Sequence, residues 1–302
     1  MLRHVTAGID GSPESLAAAH WAAREAVRRG AALRLVHAWE WHPHPAPSAP
    51  ADMSQRGSAE DIPAEVADSM RAAHPGLQVV GQAVADSPVS ALLQAAEQAG
   101  LLVLGSRGFA GVAGFLMGSV SQRVVARASR PVVLVRKGGS AADEHFSAPD
   151  GISPEEIPGI PYRDVVLGLD SDRPCEELIE FAFEAAGRRA SSLRVIHAYA
   201  RPPDFATADA LVPVRGPELL AERERAVVAA LRPWCDKFPE VTVVENVTEG
   251  RAADELISAS AGAALVVVGR RMRASRLGTH LGPVTHAALH HAPCPVAVVP
   301  HA

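Results

Sequence analysis

The sequence is poor in several residues on which common functions depend. Three cysteines, Cys175, Cys235 and Cys294, are spread through 302 residues. An odd, widely spaced set supplies neither a disulfide framework nor a zinc site. It fits three small buried or half-buried residues in a reducing compartment. Lysine is scarcer: Lys137 and Lys237 are the only two. No lysine stands in a glycine-rich phosphate loop, and Schiff-base chemistry has almost no candidates. Basic residues do not exceed acidic ones, and a formal net charge of −5 argues against a protein built to wrap nucleic acid. No apolar run approaches the ~20 residues of a membrane helix. The apolar stretch after residues 1–4 meets Asp10, too early for a signal-peptide core. The expectation is a cytoplasmic chain with neither nucleic acid nor membrane as partner.

What is present is ordinary globular composition, with 48% apolar and 21% charged residues. At roughly 150 residues per domain, the length favours two domains. An internal repeat says the same. VTAGIDGSPES at 5–15 parallels VVLGLDSDRPC at 165–175, and LRLVHAW at 33–39 parallels LRVIHAY at 193–199, both 160 positions apart. LLVLGSR at 101–107 parallels LVVVGRR at 265–271, and Pro131 parallels Pro295, both 164 positions apart. The chain reads as a domain at 1–137, a linker at 138–161 rich in Gly, Ser, Pro and acid, and a domain at 162–302.

Each copy alternates strand and helix. In the first, strands are expected at 5–9, 33–38, 77–83, 101–104 and 131–135. Helices are expected at 13–29 with Gly30 as the stop, weakly around 60–73, at 88–99 and at 119–128, with a Pro-rich loop at 43–50. Such alternation predicts an α/β fold, a mostly parallel sheet with helices on both faces. Ligands on such sheets bind beyond the carboxyl ends of the strands.

After the strand at 101–104 come Gly105 and Gly108, then Gly118, Ser119, Val120 and Ser121 opening a helix. Backbone without Cβ atoms, a helix N-terminus and two hydroxyls are what an anionic phosphate requires. The same residues also describe a plain strand–helix turn with Ser119 as N-cap. Neither a dinucleotide fingerprint nor a GK[ST] loop is present.

The pattern G-x2-G-x9-G-[ST], with Asp-Gly-Ser after the first strand, LRLVHAW, LLVLGSRG, GSVSQRV and RPVVLVR around it, resembles the universal stress protein family in its tandem two-domain form. The resemblance covers both copies. It implies two doubly wound units, each an open five-stranded parallel sheet of order 3-2-1-4-5, and ATP, with Mg²⁺ as an accompanying ion, at the carboxyl edge. It implies that Asp10 lies beside the nucleotide, that the backbone of Ala38 meets the adenine edge, and that Gly105 and Gly108 line ribose and phosphates. It further implies that Gly118, Ser119 and Ser121 hold the phosphate tail, with Val120 adding backbone. Asp10 also suits an Asx-turn or N-cap ahead of Pro13.

The second copy departs from the motif. Met272 stands at the second glycine, so a Cβ and a long side chain are expected where backbone should approach the ligand, and Pro283 stands at the Ser/Thr, where it removes a hydroxyl and an N–H. One intact and one degraded nucleotide site are expected. Arg270, Arg271, Arg273 and Arg276 crowd that loop, as compensating charge or as a solvated basic face. His37, His42 and His44 suggest a metal site less than a strand histidine recurring as His197. His286, His290 and His291 suit a solvated helix face, and Ser12 with Asp10 lacks the G-x-S-x-G of a hydrolase.

Apolar strands at 132–135 and 296–299 end the units as sheet edges that want a partner. Pairing within one chain, as a pseudo-dimer, is expected, and whole chains could associate further. The leading function is an ATP-binding stress-response sensor or regulator with an unidentified protein partner and no catalytic residues, at most slow in hydrolysis. The rivals are an interaction scaffold with vestigial sites and a slow ATPase or nucleotide-dependent transferase.

Overall fold

A computed structural model describes residues 4–39, 49–106, 118–147, 159–200, 216–272 and 281–302. The first unit runs β1 (Val5–Ile9), α1 (Pro13–Arg29), β2 (Leu33–Trp39), α2 (Ala49–Ala73), β3 (Val79–Ala85), α3 (Pro88–Gln98), β4 (Leu101–Ser106), α4 (Ser119–Arg127) and β5 (Val132–Arg136). The second repeats it: β6 (Asp164–Gly168), α5 (Glu176–Gly187), β7 (Leu193–Tyr199), α6 (Gly216–Lys237), β8 (Val243–Glu249), α7 (Ala252–Ser260), β9 (Ala263–Arg271), α8 (Pro283–His291) and β10 (Val296–His301).

The ten strands of the described residues form one sheet, β3-β2-β1-β4-β5-β10-β9-β6-β7-β8. Each half has the order 3-2-1-4-5, and its internal ladders are parallel. The halves meet where β5 and β10 pair antiparallel, Leu134 opposite Val296 and Val132 opposite Val298. Strand alternation sends Val133 and Val135 into one apolar layer and Val132 and Leu134 into the other. Both layers continue across the seam, so burial on both faces explains the near-continuous apolar runs of β1, β4 and β5.

Local signals fix the helices. Ser12 accepts from the Ser15 N–H, Pro13 opens α1, and Gly30 closes it at φ 59°. Ala18, Ala19, Ala22, Ala23 and Ala26 give α1 a small buried face on the sheet. Several expected boundaries shift by one or two residues, and two starts carry a reason or a larger change. α2 starts at Ala49 rather than near 60, so residues 49 and 50 of the expected Pro-rich loop are helical; positions 43–48 lie outside the described residues. β3 starts at Val79, not 77, because Leu77 N–H closes a turn onto His74 O through Gly76 at φ 93°.

Charged side chains also cross the seam. Glu25 of α1 is buried among Arg28, Arg29 and Arg189, the last at 2.9 Å from the second unit. Burial would push the Glu25 carboxyl up; Arg189, Arg29 and Arg28 outweigh it and hold it well below the usual carboxylate range. Burial draws Arg189 below its ordinary value while Glu25 opposes this, and the guanidinium stays cationic. The segment between the units contributes: Glu144, in a 3-10 turn at Ala142–Glu144, is 2% exposed and pairs with Arg24 and Arg28. On the other face Arg270 turns inward, 7% exposed, and donates to Ala126 O at 3.0 Å and to Ala128 O, at the end of α4. Arg270 therefore departs from the solvated reading of its basic loop. Arg271 is exposed, and Arg273 and Arg276 lie outside the described residues.

Candidate functional site

In the first unit the strand order reverses between β1 and β4, the switch point where a doubly wound sheet opens a crevice. A cavity of about 260 Å³ lies there. Its wall brings together Asp10 after β1, Ala38 in β2, Gly105 in β4, and Gly118, Ser119, Val120 and Ser121 at the start of α4. Seven of the eight expected site residues thus converge. Gly108 lies outside the described residues.

The two described glycines of the motif differ in physical reason. A Cβ on Gly105 would sit 2.6 Å from the backbone carbon and oxygen of Glu14. Gly105 is therefore required for the close approach of α1 to β4. A Cβ on Gly118 would meet none of the described residues within 4 Å, and Gly118 has φ −58°. Among the described residues no close approach demands glycine at this position, and its lack of a side chain leaves the helix start uncovered by them.

Gly118 itself, not Ser119, is the N-cap of α4, and no side chain caps that turn. The first intrahelical bond runs from Gln122 N–H to Gly118 O. The N–H groups of Ser119, Val120 and Ser121 precede it, at the positive end of the helix dipole. Ser119 stands exposed at N1. The Ser121 hydroxyl donates to Gly105 O at 3.1 Å, so it ties α4 to β4 instead of offering its proton to the cavity. Thr285 makes the same tie to Gly269 O at 2.8 Å.

Asp10 is exposed and accepts from Ser12 N–H at 3.0 Å, an Asx-turn that leads into α1. Sequence reasoning passed over Glu14, which also lines the cavity and lies 4.0 Å from Lys137. Its signal was available, four positions beyond Asp10, but a glutamate in a first helical turn reads as a dipole residue. Leu92 and Pro88 of α3 and Val36 of β2 complete the apolar side.

The second unit forms a cavity of about 630 Å³ at the matching place, lined by Asp170, Ala198, Gly269, Gly282, Pro283 and Thr285 among others. Met272 does not enter it. Its side chain is 46% exposed, and its N–H bonds to His301 O at 2.7 Å. The motif's second glycine is therefore lost to an extended β9–β10 pairing, not to a side chain filling the site. Pro283 occupies N1 of α8, where it supplies no N–H.

The histidines resolve by position. His37 bonds through Nδ1 to Ile9 O at 2.9 Å, and His197 likewise to Leu169 O at 3.0 Å, one structural contact made twice. His42 and His44 lie outside the described residues. Among the described residues no group of three or more His, Cys, Asp or Glu side chains forms a metal site. Nor, among them, is any helix long and apolar enough to cross a membrane.

A sequence model described as the universal stress protein family matches residues 1–136 and 161–300. Two universal stress proteins of Mycobacterium tuberculosis are similar along nearly the full chain. One is 31% identical over 97% of this chain and 94% of its own, the other 32% identical over 97% and 96%. A crystal structure of a universal stress protein from Archaeoglobus fulgidus aligns with TM-score 0.69 at 18% identity, covering 99% of this chain and 98% of that one.

Proposed function

The chain belongs to the universal stress protein family, and from that premise we propose that its first unit binds ATP and that the chain acts as a nucleotide-dependent sensor or regulator. The observation that carries the reading is the start of α4. Three backbone N–H groups precede the first helical bond, the capping residue has no side chain, and the cavity opens beside them. The apolar wall of Val36, Pro88 and Leu92 suits a base, and Ala38 stands at the strand end beside it.

Two carboxylates, Asp10 and Glu14, line the same cavity. Alone they would repel a polyphosphate, so their presence fits a nucleotide that arrives with Mg²⁺. When bound, the ion would neutralise charge between phosphate and carboxylate. No Walker lysine is present to stabilise a transferring phosphoryl group. The reading is therefore binding, with hydrolysis at most slow. The two units act as a pseudo-dimer, supported by the antiparallel β5–β10 pairing and the Glu25–Arg189 contact. α1 carries Glu14 to the cavity at one end and Glu25 to the seam at the other. Nucleotide that favours one placement of α1 would thereby bias the seam.

The test is calorimetric titration of nucleotide-free protein with Mg-ATP. Gly118→Ala should weaken binding about tenfold or more, because its Cβ would stand at the open helix start that the phosphate chain approaches. Its thermal midpoint should fall only slightly, since the added Cβ meets none of the described residues and alanine is merely a poorer N-cap. Unchanged affinity would remove α4 from the site.

A further inference from the structure

The two cavities occupy matching places but differ in size and in the charged residues described on their walls. The first measures about 260 Å³, and the charged residues described on its wall are Asp10 and Glu14. The second measures about 630 Å³ and is lined by Asp170 together with Arg173 and Arg271. Arg173 aligns with Pro13 and Pro174 with Glu14, so one acid is lost and one guanidinium group is gained; Arg271 aligns with Arg107, which lies outside the described residues.

The widening has a local cause. α1 begins at Pro13, and its first turn presses on β4 so closely that Gly105 tolerates no Cβ. α5 begins only at Glu176, after a turn in which Arg173 N–H bonds to Asp170 O. The helical turn that narrows the first cavity is therefore absent from the second. A Cβ on Gly269 would meet the His301 ring at 2.9 Å and Leu178 at 3.2 Å, not helix backbone.

The interior is apolar, and the His197, Thr285 and Cys175 side chains on its wall are engaged. Leu169, Ile196, Leu256, Val268 and Leu281 line it. His197 bonds to Leu169 O and Ser171 Oγ, the Thr285 hydroxyl donates to Gly269 O, and the Cys175 thiol donates to Glu177. Pro283 offers no N–H where a phosphate chain would need one. What remains is a roomy apolar chamber with two exposed guanidinium groups on its wall.

We propose that this second cavity is a metal-independent site for an amphipathic anion, an aromatic or acyl body with a single anionic group. The body would fill the apolar interior and the anion would meet Arg173 and Arg271, fixed cations that make a bridging metal unnecessary. The proposal stands independently of the nucleotide reading of the first cavity.

The probe is 8-anilinonaphthalene-1-sulfonate, an aromatic body with one sulfonate, titrated by fluorescence into the full chain in excess EDTA. Ala198→Trp should block binding by filling the second cavity, and Ala38→Trp, its counterpart in the first, should leave it unchanged. The double variant Arg173→Gln with Arg271→Gln, at exposed positions where folding is little disturbed, should bind about tenfold or more weakly. It decides the matter if Ala198→Trp fails to fold. Wild-type affinity in the double variant, loss in Ala38→Trp, or one-for-one displacement of the probe from the second cavity by Mg-ATP would each overturn the proposal. Mg-ATP titration of the same two tryptophan variants reports on the first cavity separately.

Discussion

At the scale of single residues, the two described motif glycines separate fold from function. Gly105→Ala would force a Cβ to 2.6 Å from the Glu14 backbone. It should destabilise by about 1–3 kcal/mol, as overpacking does, measured by urea unfolding. Gly118→Ala should not. The motif spacing placed both glycines together but could not separate their roles, because the difference lies in what approaches each one: backbone of α1 in one case, none of the described residues in the other. Ser121 shows the same limit. Its type suits phosphate, yet its hydroxyl faces the carbonyl of Gly105. Glu25 was legible only as one more polar residue of an amphipathic helix, since its partner Arg189 is remote in sequence. Glu25→Gln should cost about 3–5 kcal/mol at neutral pH by leaving buried guanidinium groups uncompensated. The folded carboxyl is held below its unfolded value. Its stabilisation is therefore fully present above about pH 4.3 and lost as pH falls below that towards the folded value. The gap between wild type and Glu25→Gln in urea should accordingly shrink in acid. A gap independent of pH would contradict the charge network.

At the scale of elements, strand and helix alternation carried most of the information. Apolar runs buried on both faces and caps such as Ser12, Pro13 and Gly30 are local signals, and the structure follows them closely. Where the reading slipped, non-local contacts decided. Met272 looked like an obstruction, but its N–H joins β9 to β10 and its side chain points out. The late start of α5 was hidden because the repeat aligns Asp170 with Asp10 and then breaks, with a turn at Arg173 where α1 is already helical. Arg270 was one arginine in a basic run, yet it reaches two carbonyls at the end of α4 in the other unit. A cation there satisfies groups that the helix leaves unbonded. Arg270→Met should destabilise the chain by about 1–3 kcal/mol, and hydrogen exchange should quicken in the last turn of α4. Unchanged protection there would show that the contact stabilises nothing.

At the scale of the whole molecule, duplication and asymmetry act together. One sheet of ten strands carries two switch points, and both apolar layers pass through the β5–β10 seam. The repeat made the two units legible, and Pro283 announced that they differ. The size and charge of the second cavity were not legible, because they depend on an unwound turn and on which arginines come to line its wall. The central claim is one nucleotide site per chain, in the first unit. The most direct measurement is the stoichiometry of Mg-ATP binding to nucleotide-free protein by calorimetry, in wild type and in Gly118→Ala. The account predicts one site per chain, lost or strongly weakened in the variant. Two equivalent sites, or one site that survives Gly118→Ala unchanged, would contradict it.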